Sequence, residues 1–256
     1  MKLTEYMQKF ASAALAAALA LGCVASVNAQ KLLFDLGGTQ FDYRSIPAPS
    51  PDANGNHWNV VGSCCFFPDL VDKAGNPTTI DFGFSGAAGN DSYNGPAGPT
   101  DPPPYQDYLP LTDIDAAALG DLGVKEAAFD YYTGATMQIQ SLDPSKKYTV
   151  TFFGSHQYND DNDITRYTSY TDGSFSTAIT SVDLVVGGNG FWNRDKVAKL
   201  VAISPQADGI LYLGYRGVPR GAGYLNSMSI EVVPEPSTLL LMSGGVATVW
   251  ALRRKK

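Results

Sequence analysis

Between residues 30 and 233, Gly, Pro, Asn or Asp cuts every apolar run short of an ordinary helix length. The acidic residues reinforce the pattern. In that span they are all Asp except Glu126 and Glu231, and Asp favours turns and caps where Glu favours helix interiors. The runs themselves read as strands. Residues 31–36 form an apolar run ended by Gly37-Gly38, and residues 79–84 set Ile80, Phe82 and Phe84 against Asp81 and Gly83. Residues 137–139 lead through the turn Leu142-Asp143-Pro144 to a Tyr/Val/Phe-rich run at 147–153. Further candidates are 166–170, 181–186, 199–203 (stopped by Pro205), 210–215 (after Asp208-Gly209) and 224–232. Eight or more short strands separated by turn residues predict an all-β fold, an antiparallel sandwich. Only residues 114–129 suggest a helix, and Gly120 and Gly123 break it. Residues 85–110 have no periodicity and contain six prolines, which predicts a solvated loop.

The two ends differ from this middle. Lys2 and Lys9 precede an Ala/Leu-rich stretch, 10–27, that closes with Val27-Asn28-Ala29. That is the layout of a secretory signal cut by signal peptidase between Ala29 and Gln30. A retained span or buried helix is the plain alternative, and Leu21-Gly22-Cys23 is a partial lipoprotein box. At the other end, Val233-Pro234-Glu235-Pro236-Ser237 is followed by fifteen uncharged residues, 238–252, and then by Arg253-Arg254-Lys255-Lys256. As a helix those fifteen residues rise about 22 Å. That is short of the ~30 Å hydrocarbon core, so a transmembrane helix there requires bilayer thinning or snorkelling. The four terminal cations would hold the tail on the cytoplasmic side.

Motif, apolar segment and basic tail together resemble the PEP-CTERM sorting signal of exported Gram-negative proteins. The resemblance implies recognition through Val233, Pro234, Glu235 and Pro236 by an exosortase, a membrane cysteine protease. It also implies passage through the general export machinery, membrane attachment through the C-terminal helix before processing, and delivery to the cell envelope, surface or extracellular matrix. A simple tail anchor is the alternative. Three parts follow: a signal peptide at 1–29, a passenger at 30–232 and a sorting signal at 233–256.

The passenger, taken to Val233, carries 12 basic and 23 acidic residues, a balance of −11. That speaks against nucleic acid as a partner, because phosphate binding needs a basic face. Phe34-Asp35-Leu36-Gly37, His57-Trp58-Asn59, Leu142-Asp143-Pro144 with Tyr148-Thr149-Val150, Arg166-Tyr167-Thr168 with Tyr170, and Gly223-Tyr224-Leu225-Asn226 resemble secreted jelly-roll domains of the galactose-binding-like type. The resemblance implies a jelly-roll sandwich and, for many members, carbohydrate binding. It transfers no binding residue.

The chemistry available favours binding over catalysis. His57 and His156 are the only imidazoles, and no serine sits in a Gly-x-Ser-x-Gly elbow. Gly89-Asn90-Asp91-Ser92 is only a faint likeness of a lipase-type turn. Cys64 and Cys65 are adjacent, so no disulfide framework can be written from them. No zinc-type spacing of His and Cys occurs. The passenger is therefore expected to be no enzyme and to need no cofactor. A secreted hydrolase of envelope polysaccharide is the rival reading, and a purely structural matrix component a third. Asp160, Asp161 and Asp163, within Asn159–Asp163, make the densest oxygen cluster and suggest a structural calcium, although the EF-hand Gly and Glu are missing. For polysaccharide, sugar stacking needs an exposed ring with polar groups beside it. Trp58 with Asn59, and Trp192 after a Gly-rich turn, are the platforms, with Tyr158, Asn162 and Arg166 as polar edge. The alternative for both tryptophans is capping of the sandwich core.

Overall fold

The strand 31–36 is buried on both of its faces, and the architecture follows from that. In a computed structural model, the residues described are 30–37, 46–62, 66–85, 89–91, 114–156, 164–188 and 191–234. The first strands are β1 (Lys31–Leu36), β2 (Asn59–Val61), β3 (Phe66–Phe67), β4 (Asp81–Phe84) and β5 (Gly89–Asp91). A helical stretch follows, then β6 (Tyr131–Thr133), β7 (Thr136–Gln140), β8 (Tyr148–Phe153), β9 (Ile164–Tyr170) and β10 (Ala178–Val185). The chain closes with β11 (Gly187–Gly188), β12 (Phe191–Trp192), β13 (Ala198–Ile203), β14 (Leu211–Gly217), β15 (Tyr224–Leu225) and β16 (Ser227–Val232).

Two main sheets face each other. One has five strands in the order β13-β8-β16-β1-β2, the other six in the order β10-β9-β14-β7-β4-β3. Period-two alternation turns Leu32, Phe34, Leu36, Val150, Phe152, Met228 and Ile230 of the first sheet into the main core. Phe82, Met137, Ile139, Tyr167 and Leu213 of the second sheet belong to the same core. Phe152 stacks on Tyr167 at 4.4 Å, and Phe34 meets Phe82 at 5.3 Å. The all-β sandwich read from the sequence is thus present, with one departure. β1 and β2 pair in parallel, Phe34 opposite Asn59 and Leu36 opposite Val61. The chain between them crosses over and re-enters in the same direction, which alternation within single strands does not reveal.

The other face of the five-stranded sheet carries a smaller core. Leu33 and Phe153 project there, against Ala48, Trp58, Leu119, Leu122, Ala127 and Ala128. The helical stretch supplies part of this third layer as three short pieces: Ala116–Leu119, a 3-10 turn at Gly120–Leu122, and Lys125–Phe129. Asp115 caps the first by accepting from Ala118 N at 3.1 Å. The breaks fall at the two glycines marked in the sequence. A Cβ on Gly123 would collide with the Ala116 carbonyl.

The flanking helices need correction. Among the described residues, no helix is long and apolar enough to cross a membrane. The transmembrane helix expected over 238–252 is withdrawn, consistent with a run too short for the hydrocarbon core. That segment and the signal helix expected over 1–29 both lie outside the described residues.

Two turns of one design hold the third layer. Asp52-Ala53-Asn54-Gly55-Asn56 and Asp72-Lys73-Ala74-Gly75-Asn76 share the pattern Asp-x-x-Gly-Asn. In each, the Asp carboxylate accepts from the backbone N and side-chain amide of the Asn four residues on. Gly55 and Gly75 take φ of 80° and 85°, the left-handed region open to glycine. Asp52 has one more task, accepting from buried Trp58 Nε1 at 3.0 Å. Burial opposes ionisation of Asp52, but hydrogen bonds from Trp58, Asn56 and Asn54 outweigh it and hold its carboxyl below the usual range.

Asp52→Ala should therefore destabilise the protein by about 3 kcal/mol, because it strands a buried indole N–H as well as opening a turn. Asp72→Ala, in the more exposed twin, should cost about 1 kcal/mol. A carboxylate with a depressed pKa stabilises above its unfolded pKa and loses that contribution as pH falls through the folded value. The Asp52→Ala deficit should accordingly narrow below about pH 4. Urea unfolding across pH checks both; equal costs for the two variants would contradict this account of Trp58.

Candidate functional site

The tryptophan in the Gly-rich turn comes to the surface. β11 and β12 form a minimal ladder, Gly187 opposite Trp192 and Gly188 opposite Phe191. The turn after it is fixed by Asn193. Its Nδ2 donates to Gly154 O at 3.0 Å and Lys196 O at 2.7 Å, and its Oδ1 accepts from Lys196 N at 3.0 Å. Trp192 is half-buried, with the Arg194 guanidinium 4.1 Å above its ring. Around it lies a cavity of about 450 Å³, lined among others by Ile114, Asp115, Val185, Arg194 and Lys196. Aromatic surface, apolar wall and charges of both signs meet there, which suits a polar ligand with a ring-like face.

Most other residues singled out from the sequence fall elsewhere. Trp58 is 4% exposed and bonded to Asp52, so it takes the alternative role of capping a core. Asn59 donates to Leu33 O and Val71 O and accepts from Val71 N, which commits its side chain to holding β1 and the Val71 segment. Arg166 lies on the outer face of the six-stranded sheet, paired with Asp183. Neither described cavity is lined by Trp58, Asn59 or Arg166. Tyr158, Asn162, Asp160, Asp161 and Asp163 lie outside the described residues, as do Cys64, Cys65 and Ser92. Among the described residues, no three His, Cys, Asp or Glu gather as a metal site.

Neither imidazole lines a described cavity. His156 is fully buried and stacks on Tyr224 at 3.7 Å. The ring of His57 packs where Gly75 has no side chain. A second cavity, of about 590 Å³, includes Thr136, Tyr170, Gly214 and Arg216 in its lining. The sequence reading missed it, although the alternation Tyr212-x-Gly214-x-Arg216 places those side-chain positions on one face.

At the C-terminal boundary, Val232 N donates to Gln30 O at 3.2 Å and Val233 N to Lys147 O at 2.8 Å. Ala29, Glu235, Pro236 and Arg253 to Lys256 lie outside the described residues. Residues 232–255 match the model of the PEP-CTERM protein-sorting motif.

The chain carries a PEP-CTERM sorting motif.

This motif supports an exported protein placed at the cell surface or envelope. The match begins at the last residue of β16. No curated protein matches the sequence. Among solved structures, the native structure of a family 35 carbohydrate binding module from Clostridium thermocellum is similar over 40% of this chain and 76% of its own. Identity is 17% and the TM-score 0.28, a weak and partial likeness on which no assignment rests.

Proposed function

We propose that the chain is an exosortase substrate of a Gram-negative bacterium. Residues 1–29 direct export, with cleavage between Ala29 and Gln30. Residues 30–232 are the passenger, and 233–256 the sorting signal. The observation that carries this is the PEP-CTERM match itself, which starts at the last residue of β16. The passenger is a non-catalytic glycan binder, and the Trp192 cavity is its site. That reading is supported by a half-buried ring beside charged and amide groups, and by imidazoles that pack away from both described cavities.

Pro234 and Pro236 keep the motif from joining a helix, so it presents extended backbone to a protease cleft. Glu235 offers a directional charged acceptor between them. Glu235→Ala should leave export intact and accumulate unprocessed precursor, followed by pulse-chase in the native host. Processing at the normal rate would defeat this role for Glu235. For the passenger, Trp192→Ala should weaken binding on a glycan array about tenfold, the worth of a lost stacking face. Undiminished binding by that variant would remove Trp192 from the site.

A further inference from the structure

The outer face of the six-stranded sheet carries charge of both signs, with Asp208 and Asp172 beside Tyr212 and an arginine-rich row further along. Asp183, Arg166 and Arg216 lie in one row across β10, β9 and β14, Asp183 opposite Arg166 and Arg166 opposite Arg216. Like charges directly opposite on neighbouring strands repel. Arg166 is satisfied, its Nε and Nη2 donating to the two oxygens of Asp183 at 2.7 and 2.8 Å. Both carboxylate oxygens are thereby engaged. Arg216 is exposed and makes no close ion pair among the described residues, although the charge of Asp183 reaches it as well. The row holds two guanidiniums for one acid, in a passenger whose whole balance is −11.

Beside Arg216 the next row is made of small residues, with Gly214 and Thr168 buried. Gly214 lies opposite Thr168 on one side and Thr136 on the other. This leaves the second cavity, with Tyr170 and Thr136 in its lining. A Cβ on Gly214 would come within 3.1 Å of Tyr170 Cε2, so the missing side chain is what lets the tyrosine ring approach the sheet. The third row holds Tyr170 opposite Tyr212. Phe175, from the β9–β10 turn, packs edge-on against both, at 5.6 and 5.9 Å. Phe175 takes φ of 52°, a conformation that costs a non-glycine residue energy. The turn thus buttresses two tyrosines on a solvent-facing sheet.

We propose that this face is a second binding site, distinct from the Trp192 cavity, for an anionic polysaccharide. A sugar carboxylate or sulfate pairs with Arg216, since Asp183 is held by Arg166, and the sugar ring lies in the second cavity against Tyr170. The exposed Arg216 guanidinium selects an anionic group on its own side of the cavity, away from Asp172 and Asp208 beside Tyr212, and the aromatic surface selects a sugar over other polyanions.

The test is biolayer interferometry of the full-length protein on immobilised polygalacturonate, dextran sulfate, neutral dextran and poly-glutamate. Binding is expected to polygalacturonate or dextran sulfate, the responding polymer telling carboxylate from sulfate ester, and not to neutral dextran or poly-glutamate. Arg216→Gln should weaken it about tenfold, as for a lost charge-assisted contact, while Arg216→Lys retains part. Tyr170→Ala should weaken it too, and Trp192→Ala should leave it unchanged. Arg216→Gln removes an exposed charge that Arg166 repels and Asp183 attracts, and should leave the melting temperature nearly unchanged. Unchanged binding by Arg216→Gln, equal binding to poly-glutamate, or no binding to either anionic polysaccharide would overturn the proposal. Loss of binding in Trp192→Ala would also overturn it, by merging the two sites.

Discussion

Both cores of this protein depend on β1. Leu32, Phe34 and Leu36 enter the core between the sheets, while Leu33 enters the core beneath the short helices. A strand buried on one face could slip its register and still hide an apolar set; one buried on both cannot do so without exposing another. β1 is pinned by five antiparallel partners on β16 and three parallel partners on β2. It also carries a carboxylate inward. Asp35 is fully buried, and desolvation pushes its carboxyl up to about 7, against the lowering effect of the Ala48 N–H and with a further upward push from Glu126. Its Oδ2 accepts from Ala48 N at 2.7 Å, and Asp130 Oδ2 accepts from Ile46 N at 2.7 Å. Two buried acids thus hold residues 46–48 over the third layer.

What the sequence made legible, and what it hid, has a physical pattern. Strand 31–36 is found at the boundaries read from it, because an unbroken apolar run between turn residues permits little else. The helical stretch breaks at the marked glycines for local steric reasons. By contrast β2 and β3, three and two residues long, are below the length at which alternation can be read. Trp58 looked like a binding platform because its neighbours are polar. Those same neighbours bury it: Asp52 satisfies the indole N–H, and Ser50 Oγ accepts from the Trp58 backbone N–H. Asn59 likewise spends its amide on backbone groups. Polar residues beside an aromatic ring in sequence do not distinguish a site from a satisfied core. Only the pairing of donors and acceptors does. Trp192, in a two-residue ladder, stays half-buried with Arg194 on its ring, and the charged row on β9 and β14 became visible only through the strand register.

The same pairing that makes β1 central also sets where the two processing sites would lie. β1 and β16 are antiparallel neighbours, so Gln30 and Val233 stand at one end of one sheet. The matched motif begins at Val232, the last residue of β16, and Val232 and Val233 are bonded to Gln30 and Lys147. The sorting motif thus adjoins one folded unit, Gln30–Val233. The two glycan sites proposed for that unit are built from other elements, β12 and the outer face of β9 and β14, so processing at the termini would not remove their residues.

The most direct measurement is the intact mass of the protein recovered from the exterior of its native host. The expected species begins at Gln30 and lacks the basic tail Arg253 to Lys256, having been cut within or just beyond Val233–Pro236. A recovered protein whose mass still includes residues up to Lys256 would contradict the central assignment of an exosortase-sorted passenger.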